Sequence, residues 1–477
     1  TSNYFGNSLA SGDWNSDGKT DLAVGAYGYG SSRGRVYMYT FNDGVITGEA
    51  TNNAFGYSLA SGDFNADGKT DLAVGANAYS TKTGRAYIFY NDGSIPTTAA
   101  SADVIITGET TSNYFGGSLV SGDWNADGRA DLAVSARGYS TSTGRAYIFY
   151  NDGSIPTTAA TADVIITGET TAVLFGYSFS SGDFNSDGKI DLVVGAYQYS
   201  SSTGRAYLFY SGSIITENAS GADVIITGGA AGNAFSRSLT SGDFNADGRV
   251  DLAIGANGYS TSTGRAYIFY NDGSIPTTAA TADVIITGET TNNNLGYSLT
   301  SGDLNADGKT DFVVGAYGYS TNTGRTYIFY NGSIITENAS GADIIIQGET
   351  TNNTFGEECI SGDFNADGRI DLAVGASGYS TSTGRAYLFY NDGSIPTTAA
   401  TADVIIQGET TNVLFGEKFA SGDFNADGKT DFAVGARSYS TSTGRAYIFI
   451  TEAKVEETLP QLQSIGATEI IGNFEVR

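Results

Sequence analysis

The chain has 477 residues, a formal net charge of −27, 40% apolar residues, a single cysteine and no histidine. This apolar content is enough for a packed core, the lone Cys359 excludes an intramolecular disulfide, and the absence of His removes the usual general base and the commonest transition-metal ligand. No apolar run reaches the roughly 18 to 20 residues needed to cross a bilayer, so we expect no membrane insertion.

One unit recurs along the chain, and its second copy shows the elements clearly. It begins with "FGYSLASGDF" (55–64) and passes through the acidic turn "NADGKT" to "DLAVGANAY" (71–79). After "STKTG" come "RAYIFY" (85–90) and, beyond a longer loop, "DVIITGE" (103–109). β-Branched and aromatic residues dominate these runs, and Gly, Asn, Asp and Ser separate them. Each repeat therefore predicts four short antiparallel strands.

The repeats predict a β-propeller. We place them at about 1–50, 51–110, 111–170, 171–230, 231–290, 291–350, 351–410 and 411–450. A four-stranded sheet cannot bury both faces alone, whereas sheets arranged around an axis can. We therefore expect an all-β, eight-bladed β-propeller of four-stranded antiparallel blades. A linear stack is the competing layout. The ring is favoured because eight lies within the usual range of about 4 to 8 blades, and because no atypical capping repeat begins the chain.

The last repeat has no standard fourth strand and is followed by a tail, residues 451–477. Within this tail "GATEIIGNF" (466–474) resembles a degraded copy of the usual "GADVIITGE". Because Thr1 leads directly into the first strand of repeat one, we expect no preceding segment to close the ring. Two alternatives stay open: the tail completes its own last blade, or it adds a strand to a neighbouring molecule and builds a polymer.

An acidic motif, D-x-N-x-D-G-x-x-D, links the first two strands of every repeat and predicts a metal site. Its three aspartates in each of eight copies supply 24 of the 51 acidic residues. Side chains at positions 1, 3, 5 and 9 of a tight turn can converge on one point, and the glycine at position 6 permits a positive φ. Oxygen donors without His or Cys select Ca²⁺ over Zn²⁺ or Cu²⁺, and six or more of them suit Ca²⁺ better than Mg²⁺.

We therefore predict about eight Ca²⁺ ions, one per repeat; a metal-free Asn/Asp/Gly turn is the alternative, but its clustered carboxylates would repel one another. The predicted ligands are the side chains at positions 1, 3, 5 and 9 and the backbone carbonyl at position 7: Asp13, Asn15, Asp17, Lys19, Asp21; Asp63, Asn65, Asp67, Lys69, Asp71; Asp123, Asn125, Asp127, Arg129, Asp131; Asp183, Asn185, Asp187, Lys189, Asp191; Asp243, Asn245, Asp247, Arg249, Asp251; Asp303, Asn305, Asp307, Lys309, Asp311; Asp363, Asn365, Asp367, Arg369, Asp371; Asp423, Asn425, Asp427, Lys429 and Asp431.

Three short segments of each repeat together resemble the FG-GAP repeat of integrin α-subunit β-propellers and their bacterial and fungal relatives. In the second repeat they are Phe55–Gly56, the loop "DFNADGKTD" and "VGA" at 74–76, and the resemblance covers about residues 1–450. It implies a propeller with a calcium loop in the first hairpin of each blade. Integrin propellers have seven repeats, only some of which bind calcium, and the GAP proline is absent here. Members of the family serve in adhesion, as lectins or as appendages to other domains.

The residue after "FG" and the residue after "GA" vary between repeats. These two positions would pair across the first hairpin, at the end opposite the loop. There Tyr177 would face Tyr197, Tyr297 would face Tyr317, and Glu417 would face Arg437. A ring of such residues near the central channel could bind a glycan or a protein, since Tyr offers a large amphipathic contact area. Neutral variation at solvated strand ends is the alternative. The candidate ligand-binding residues are Tyr177, Tyr197, Tyr297, Tyr317, Arg237 and Arg437.

By contrast, the arginine of "TGR", for example Arg145, is the same in all eight repeats, and we expect it to form a structural ion pair or to bind a carbonyl.

Taken together, the repeats, the acidic loops and the absence of His favour a secreted, calcium-stabilised structural or adhesive protein over an enzyme. A chain that starts at Thr1 without a leader fits an extracellular protein after removal of its signal. Its partner would be a protein or glycan at the cell surface, or further copies of itself. A calcium-dependent lectin is the alternative, and a polysaccharide-active propeller enzyme is the weakest of the three. A net acidic chain without a basic patch argues against nucleic acid.

Overall fold

The computed structural model describes residues 98–408 without a gap. Outside that range it describes 5–12, 21–26, 35–39, 44–50, 53–68, 71–90, 96, 411–412, 414–417, 419–422, 430–436 and 445–449. The tail at 451–477 and the fourth strand of the eighth repeat, about which two alternatives were predicted, lie outside the described residues.

Every repeat forms one antiparallel sheet whose strands neighbour one another in chain order, and we number these sheets as blades 1 to 8. The first strands are Phe5–Gly12, Phe55–Gly62, Phe115–Gly122, Phe179–Gly182, Leu239–Gly242, Leu299–Gly302, Cys359–Gly362 and Phe419–Gly422. The second strands are Asp21–Ala26, Asp71–Ala76, Asp131–Ala136, Asp191–Ala196, Asp251–Ala256, Asp311–Ala316, Asp371–Ala376 and Asp431–Ala436. The third strands are Arg35–Tyr39, Arg85–Phe89, Arg145–Phe149, Arg205–Phe209, Arg265–Phe269, Arg325–Phe329, Arg385–Phe389 and Arg445–Phe449. The described fourth strands are Gly44–Thr47, Val104–Thr107, Val164–Thr167, Val224–Thr227, Val284–Thr287, Ile344–Gln347 and Val404–Gln407.

The blades are arranged in a closed ring. First strands of neighbouring blades contact each other in sequence around the molecule, which places them next to the axis. The first strand of blade 1, Phe5–Gly12, also contacts the first two strands of blade 8, Phe419–Gly422 and Asp431–Ala436. This contact joins the two ends of the repeat array. The predicted propeller is therefore confirmed, and the linear stack is wrong.

The hydrophobic core lies between blades. In blade 3 every residue of the second strand, Asp131–Ala136, is buried, because both faces of the sheet are covered by neighbours. Ile88 of blade 2 belongs to the same buried cluster as Val134 and Tyr147 of blade 3. The rings of Phe115 and Tyr147 meet edge to face, with their centroids 5.4 Å apart. The "YIFY" runs thus stabilise the ring through inter-blade packing, and each buried apolar side chain contributes about 1.5–3 kcal/mol.

Loops from the next blade cover the outer edges of blades 3 and 5, a feature the sequence did not predict. Short strands at Glu217–Asn218 and Glu337–Asn338 pair in parallel with the fourth strands of blades 3 and 5, respectively. The Ile165 N–H of blade 3 donates to the Thr216 hydroxyl at 3.0 Å, and the Asn218 amide donates to the Gly168 carbonyl at 3.1 Å. Each such loop therefore protects an edge that would otherwise expose unpaired backbone groups.

Helical structure is limited to single turns in the part of the chain that the model describes. Four-residue turns link the second and third strands at Tyr79–Lys82, Tyr139–Ser142, Tyr199–Ser202, Tyr259–Ser262, Tyr319–Asn322 and Tyr379–Ser382. Short 3₁₀ turns precede the fourth strands at Ala99–Ser101, Ala159–Thr161, Ala219–Gly221, Ala279–Thr281, Ala339–Gly341 and Ala399–Thr401. Among these residues there is no helix with the length and apolar character to span a membrane.

Candidate functional site

The acidic loop of blade 3 folds back on itself through its own side chains. The Asp123 carboxylate accepts hydrogen bonds from the backbone N–H groups of Asp127 and Gly128, at 3.0 and 2.9 Å. The Asn125 side-chain oxygen also accepts from the Asp127 N–H, at 2.9 Å, while its amide donates to an Asp127 carboxylate oxygen at 3.1 Å. Positions 1, 3 and 5 of the loop are thus gathered on one rim of the propeller.

Backbone conformation at position 6 agrees with the prediction. Gly128 has a φ of +86°, and the other described position-6 glycines have φ values of +82° to +86°. The residue at position 4 also adopts a left-handed conformation, with a φ of +58° at Ala126. This second left-handed residue was not predicted, because alanine and serine give no sequence signal for it.

The aspartate at position 9 lies apart from the exposed rim. Asp131 is fully buried, and its two oxygens accept from the backbone N–H groups of Trp124 and Asn151, both at 2.9 Å. Burial raises the pKa of this carboxyl to about 6, although the N–H donors act in the opposite direction. The pKa values of Asp191, Asp251 and Asp311 are likewise raised to about 6, and that of Asp371 to about 7. A neighbouring cation would favour the charged form of these buried groups.

The donor set fits a hard divalent cation: it offers carboxylate, amide and backbone oxygens only. In the described part of the chain, no three acidic or cysteine side chains converge in a preformed metal cluster. The loop carboxylates instead accept the backbone N–H groups named above, and each oxygen retains a further lone pair. Calcium ligation stays a prediction. Lys69, loop residues 13–20 and 423–429, and the side chains of Asp21 and Asp431 lie outside the described part.

An asparagine after the third strand connects neighbouring loops. The Asn151 N–H binds Asp131 of its own blade, and its side-chain amide donates to the backbone carbonyl of Asp63 in blade 2, at 3.2 Å. Asn331 and Asn391 make equivalent contacts to the first loop residue of the preceding blade, at 3.1 and 3.4 Å. Each such contact ties position 1 of one loop to position 9 of the next.

The "TGR" arginine forms the predicted ion pair, but its partner was missed. Arg145 pairs with Glu109 of the preceding blade at 2.6 Å, and its guanidinium lies 3.7 Å from the centre of the Tyr139 ring. The same inter-blade pair occurs at Arg85–Glu49, Arg205–Glu169, Arg325–Glu289 and Arg385–Glu349. Arg265 is the exception within the described residues, because Gly229 occupies the position of the glutamate. These contacts assign the arginines a structural role.

Two aromatic pairs, in blades 4 and 6, lie beside the central channel at the end opposite the loops. The rings of Tyr177 and Tyr197 have centroids 4.4 Å apart, and those of Tyr297 and Tyr317 have centroids 4.7 Å apart. Both ring contacts were predicted, but the predicted register was wrong by one residue, because the strands pair Phe179 with Val194 and Leu299 with Val314. The backbone is irregular before the first strand of blade 4, where the N–H groups of Gly176 and Tyr177 both donate to the Gly195 carbonyl, and this irregularity brings the tyrosines together. In blade 7 the Ser377 hydroxyl donates to the Glu357 carboxylate at 2.6 Å, at the same two positions. Arg437 lies outside the described residues, and ligand binding here stays a prediction.

Two arginines join these aromatic pairs across blade boundaries. Arg137 donates to the Tyr57 hydroxyl at 3.0 Å and lies 6.0 Å from the centre of the Tyr177 ring. Arg237 lies 5.6 Å from the rings of Tyr177 and Tyr197 and 5.0 Å from the ring of Tyr297. We call this set the channel mouth; it comprises Tyr57, Arg137, Tyr177, Tyr197, Arg237, Tyr297 and Tyr317.

A cavity of about 340 Å³ continues from the mouth into the channel. Its wall includes Ser118, Ser178, Ser238 and Ser298 from four successive blades, together with Tyr297 and the acidic Glu358 of blade 7. Three of these hydroxyls, on Ser178, Ser238 and Ser298, donate to a backbone carbonyl of the following blade at 2.8 to 3.1 Å. The serines therefore hold the inner strands together and give the channel a polar wall.

Comparison with known proteins identifies the repeat. The FG-GAP repeat model matches residues 5–39, 55–89, 115–149, 175–209, 235–269, 295–329, 360–389 and 415–449. Phosphatidylinositol-glycan-specific phospholipase D of Bos taurus is 32% identical over an alignment of 199 positions, gaps included, that covers 36% of this chain and 23% of that protein. Integrin alpha-PS2 of Drosophila melanogaster is 34% identical over an alignment of 219 positions that covers 42% of this chain and 15% of that protein.

The chain thus spans less than a quarter of the length of these two relatives. Among solved structures, Sqt1 from Chaetomium thermophilum has a TM-score of 0.53 at 11% identity, over 95% of this chain and 97% of that one, a likeness of fold alone. The repeat matches cover more than half of the residues and coincide with the loops and strands described above. The chain therefore belongs to the FG-GAP repeat family.

Proposed function

We propose that this chain is an extracellular, calcium-stabilised β-propeller that serves as an adhesive or structural module. The observation that carries the proposal is the repeated acidic loop with its buried position-9 aspartate, as at Asp131 and Asp191. The integrin α subunits among its relatives support a role in adhesion. The finer parts of the proposal, namely calcium dependence and an extracellular location, rest on the chemistry of the loops.

In blade 3, Asp123, Asn125, Asp127 and Asp131 would hold the ion, together with the backbone carbonyl of Arg129. A bound Ca²⁺ would neutralise the clustered carboxylates of the loop. Because the unfolded chain has no such arrangement, calcium binding would add to the free energy of unfolding by mass action. Sites of this kind in extracellular modules bind calcium at about 10⁻⁴ to 10⁻³ M, a range suited to the outside of a cell.

We propose no catalytic role. The phospholipases among the relatives share less than a quarter of their length with this chain. The chain contains no His, and its clustered carboxylates are assigned to calcium. Its partner would be a protein or a glycan at the cell surface rather than a nucleic acid. Residues 451–477 would either close the last blade or extend to a second copy and build a polymer.

The calcium part of the proposal is tested by equilibrium dialysis and thermal unfolding of the full chain in Ca²⁺, in Mg²⁺ and in EDTA. We expect about eight bound Ca²⁺ ions, and a Tm that falls by many degrees in EDTA and recovers with Ca²⁺ but not with Mg²⁺. An unchanged Tm in EDTA would contradict the metal assignment. The variant Asp131→Asn should lose one ion, whereas Asp152→Asn, an exposed control outside the loops, should lose none.

The adhesive part is tested with beads coated with the full chain. We expect calcium-dependent attachment of these beads to one another or to fibroblast monolayers, compared with albumin-coated beads. Electron microscopy of the full chain and of a 1–450 truncation distinguishes the two alternatives for the tail. Polymers that disappear on truncation support an intermolecular strand, and monomers in both samples contradict it. Beads that stay dispersed and unattached in calcium would contradict the adhesive role.

A further inference from the structure

The channel mouth contains two guanidinium groups held by tyrosines rather than by acids. Arg137 donates to the Tyr57 hydroxyl at 3.0 Å, and Arg237 to the Tyr297 hydroxyl at 3.5 Å. Among the described residues, neither arginine has a carboxylate within ion-pair distance, whereas the inter-blade arginine Arg145 pairs with Glu109 at 2.6 Å. The two groups are therefore positioned by their neighbours, and their charges are available to a ligand.

Charge is distributed unequally over the molecule. The acidic loops lie at the end of the first hairpins opposite the mouth, and they account for most of the net charge of −27. At the mouth, Arg137 of blade 3 and Arg237 of blade 5 flank the tyrosine pair of blade 4. This local excess of positive charge on an acidic protein favours an anionic partner, and a planar guanidinium binds a carboxylate through two parallel hydrogen bonds.

Cations and aromatic rings alternate around the mouth. Arg137 is followed by Tyr177 and Tyr197, then by Arg237, and then by Tyr297 and Tyr317. Tyrosine rings offer a flat apolar face together with a hydroxyl, a combination that can both pack against a sugar ring and hydrogen-bond to it. A chain in which charged and neutral sugars alternate matches this order.

The channel wall extends the surface inward. The Ser178 and Ser238 hydroxyls line the 340 Å³ cavity below the mouth and can accept hydrogen bonds from sugar hydroxyls. In blade 7, Glu357 at the mouth and Glu358 on the cavity wall end the cationic arc, since carboxylates at these positions repel an anionic ligand. The arc that would contact the ligand therefore runs from Arg137 of blade 3 to the tyrosine pair of blade 6.

From this arrangement we propose that the channel mouth binds an acidic polysaccharide, with Arg137 and Arg237 engaging its carboxylates and the Tyr177 and Tyr297 pairs supporting its sugar rings. This inference rests on the proposed adhesive function and names the ligand class of that adhesion. An acidic peptide is the competing anionic partner, and the experiment below separates the two.

The test uses the full chain in calcium and a hyaluronan decasaccharide, in which uronate and neutral sugars alternate, with binding measured by titration calorimetry. The matched probe is the same decasaccharide with its carboxylates reduced to alcohols, and poly-L-glutamate represents an acidic peptide. We expect saturable binding of the decasaccharide that weakens with added salt, and no binding of the reduced form. Poly-L-glutamate binding of equal or greater strength would overturn the proposal in favour of a peptide.

The variants Arg137→Gln and Arg237→Gln should each weaken binding about ten-fold or more, as loss of a charged hydrogen-bonded contact does. Arg265→Gln is the matched control, because Arg265 also lies 3.7 Å from a tyrosine ring and lacks a carboxylate partner among the described residues, but is outside the mouth. Its affinity should equal that of the unmodified chain. If Arg237→Gln alters the fold, Arg137→Gln, two blades away, still decides the outcome.

Failure of this inference can be distinguished from failure of the proposed function. A chain that is stabilised by calcium and adheres to beads or cells, but does not bind the decasaccharide, would overturn only the ligand class. If all three arginine variants lose binding, the binding depends on the net charge of the protein, and the proposal that the mouth is the site is overturned. A chain that binds the decasaccharide equally well in EDTA, with an unchanged Tm, would contradict the calcium part of the proposed function and leave the mouth supported.

Discussion

Blade 5 contains a natural gap in the ring of inter-blade ion pairs, and restoring the missing acid should stabilise the protein. Gly229 stands where the other described blade boundaries have Glu49, Glu109, Glu169 and their equivalents. Arg265 nevertheless keeps the usual geometry: its Nε donates to the Thr287 hydroxyl at 2.9 Å, and its guanidinium lies 3.7 Å from the centre of the Tyr259 ring. We therefore predict that Gly229→Glu adds a sixth pair to the five seen among the described residues.

The expected increase in the free energy of unfolding has two contributions, one from the backbone and one from the ion pair. A side chain at Gly229 meets no obstacle, since the nearest atom to an added Cβ is the Asn233 amide nitrogen at 3.7 Å, and the glycine does not have a positive φ. Replacing glycine under these conditions stabilises by about 0.4–1 kcal/mol through the unfolded state. The ion pair adds about 0.2–1 kcal/mol, as for other partly exposed pairs. Gly229→Glu should thus raise the free energy of unfolding by about 1 kcal/mol.

The assay is urea unfolding in saturating calcium, with Gly229→Gln as the matched control. Glutamine carries the same backbone effect without the charge, so the difference between the two variants reports the ion pair. A second control places Gly229→Glu on an Arg265→Gln background, where the extra gain of glutamate over glutamine should vanish. If Gly229→Glu is no more stable than Gly229→Gln, the assignment of the inter-blade pairs as stabilising contacts is refuted.

Three further predictions follow from single positions. Gly308→Ala forces an alanine to a φ of +82°, which should lower the free energy of unfolding by about 1–2 kcal/mol in urea; Gly229→Ala is the control, and equal effects would contradict the role of the left-handed turn. The Cys359 thiol is buried and its pKa is raised to about 12, so it should react with Ellman's reagent only after unfolding, and rapid reaction of the native chain would contradict its burial. Asn331→Ala removes amide hydrogen bonds to the carbonyls of Asp243 and Thr310, at 3.1 and 3.2 Å, so we expect the free energy of unfolding to fall by about 1–2 kcal/mol and calcium binding in dialysis to weaken. Unchanged values would show that the Asn331 contacts are not coupled to the loops.

The sequence predicted the propeller because each repeat carries its own local signals. The alternation of apolar runs and turn residues defined four strands per unit, and the structure places the four strands of the second repeat at Phe55–Gly62, Asp71–Ala76, Arg85–Phe89 and Val104–Thr107. Local symmetry about the loop also predicted that Tyr177 meets Tyr197, but the strand register itself is shifted by one residue from the symmetric pairing. Features contained within one hairpin could therefore be predicted from the sequence alone.

Contacts between blades were harder to predict from the sequence. Glu109 lies 36 residues before Arg145, and nothing in the local pattern of either segment indicates that they meet. The edge-covering strand Glu217–Asn218 was not predicted, because its parallel partner belongs to the preceding repeat. The position of Arg237 between two tyrosine pairs likewise depends on how three blades are arranged around the axis.

The inter-blade contacts determine how the loops act together. Asn151 binds the buried Asp131 of its own loop through its backbone N–H and the carbonyl of Asp63 in the preceding loop through its side chain. A cation bound to one loop would therefore also hold a hydrogen-bond partner of its neighbour, and the same contact recurs at Asn331 and Asn391. Because the first strands also line the channel, rigid loops at one end would help to hold the mouth residues at the other end in position. Calcium would then support ligand binding through the hairpins, without contacting the ligand.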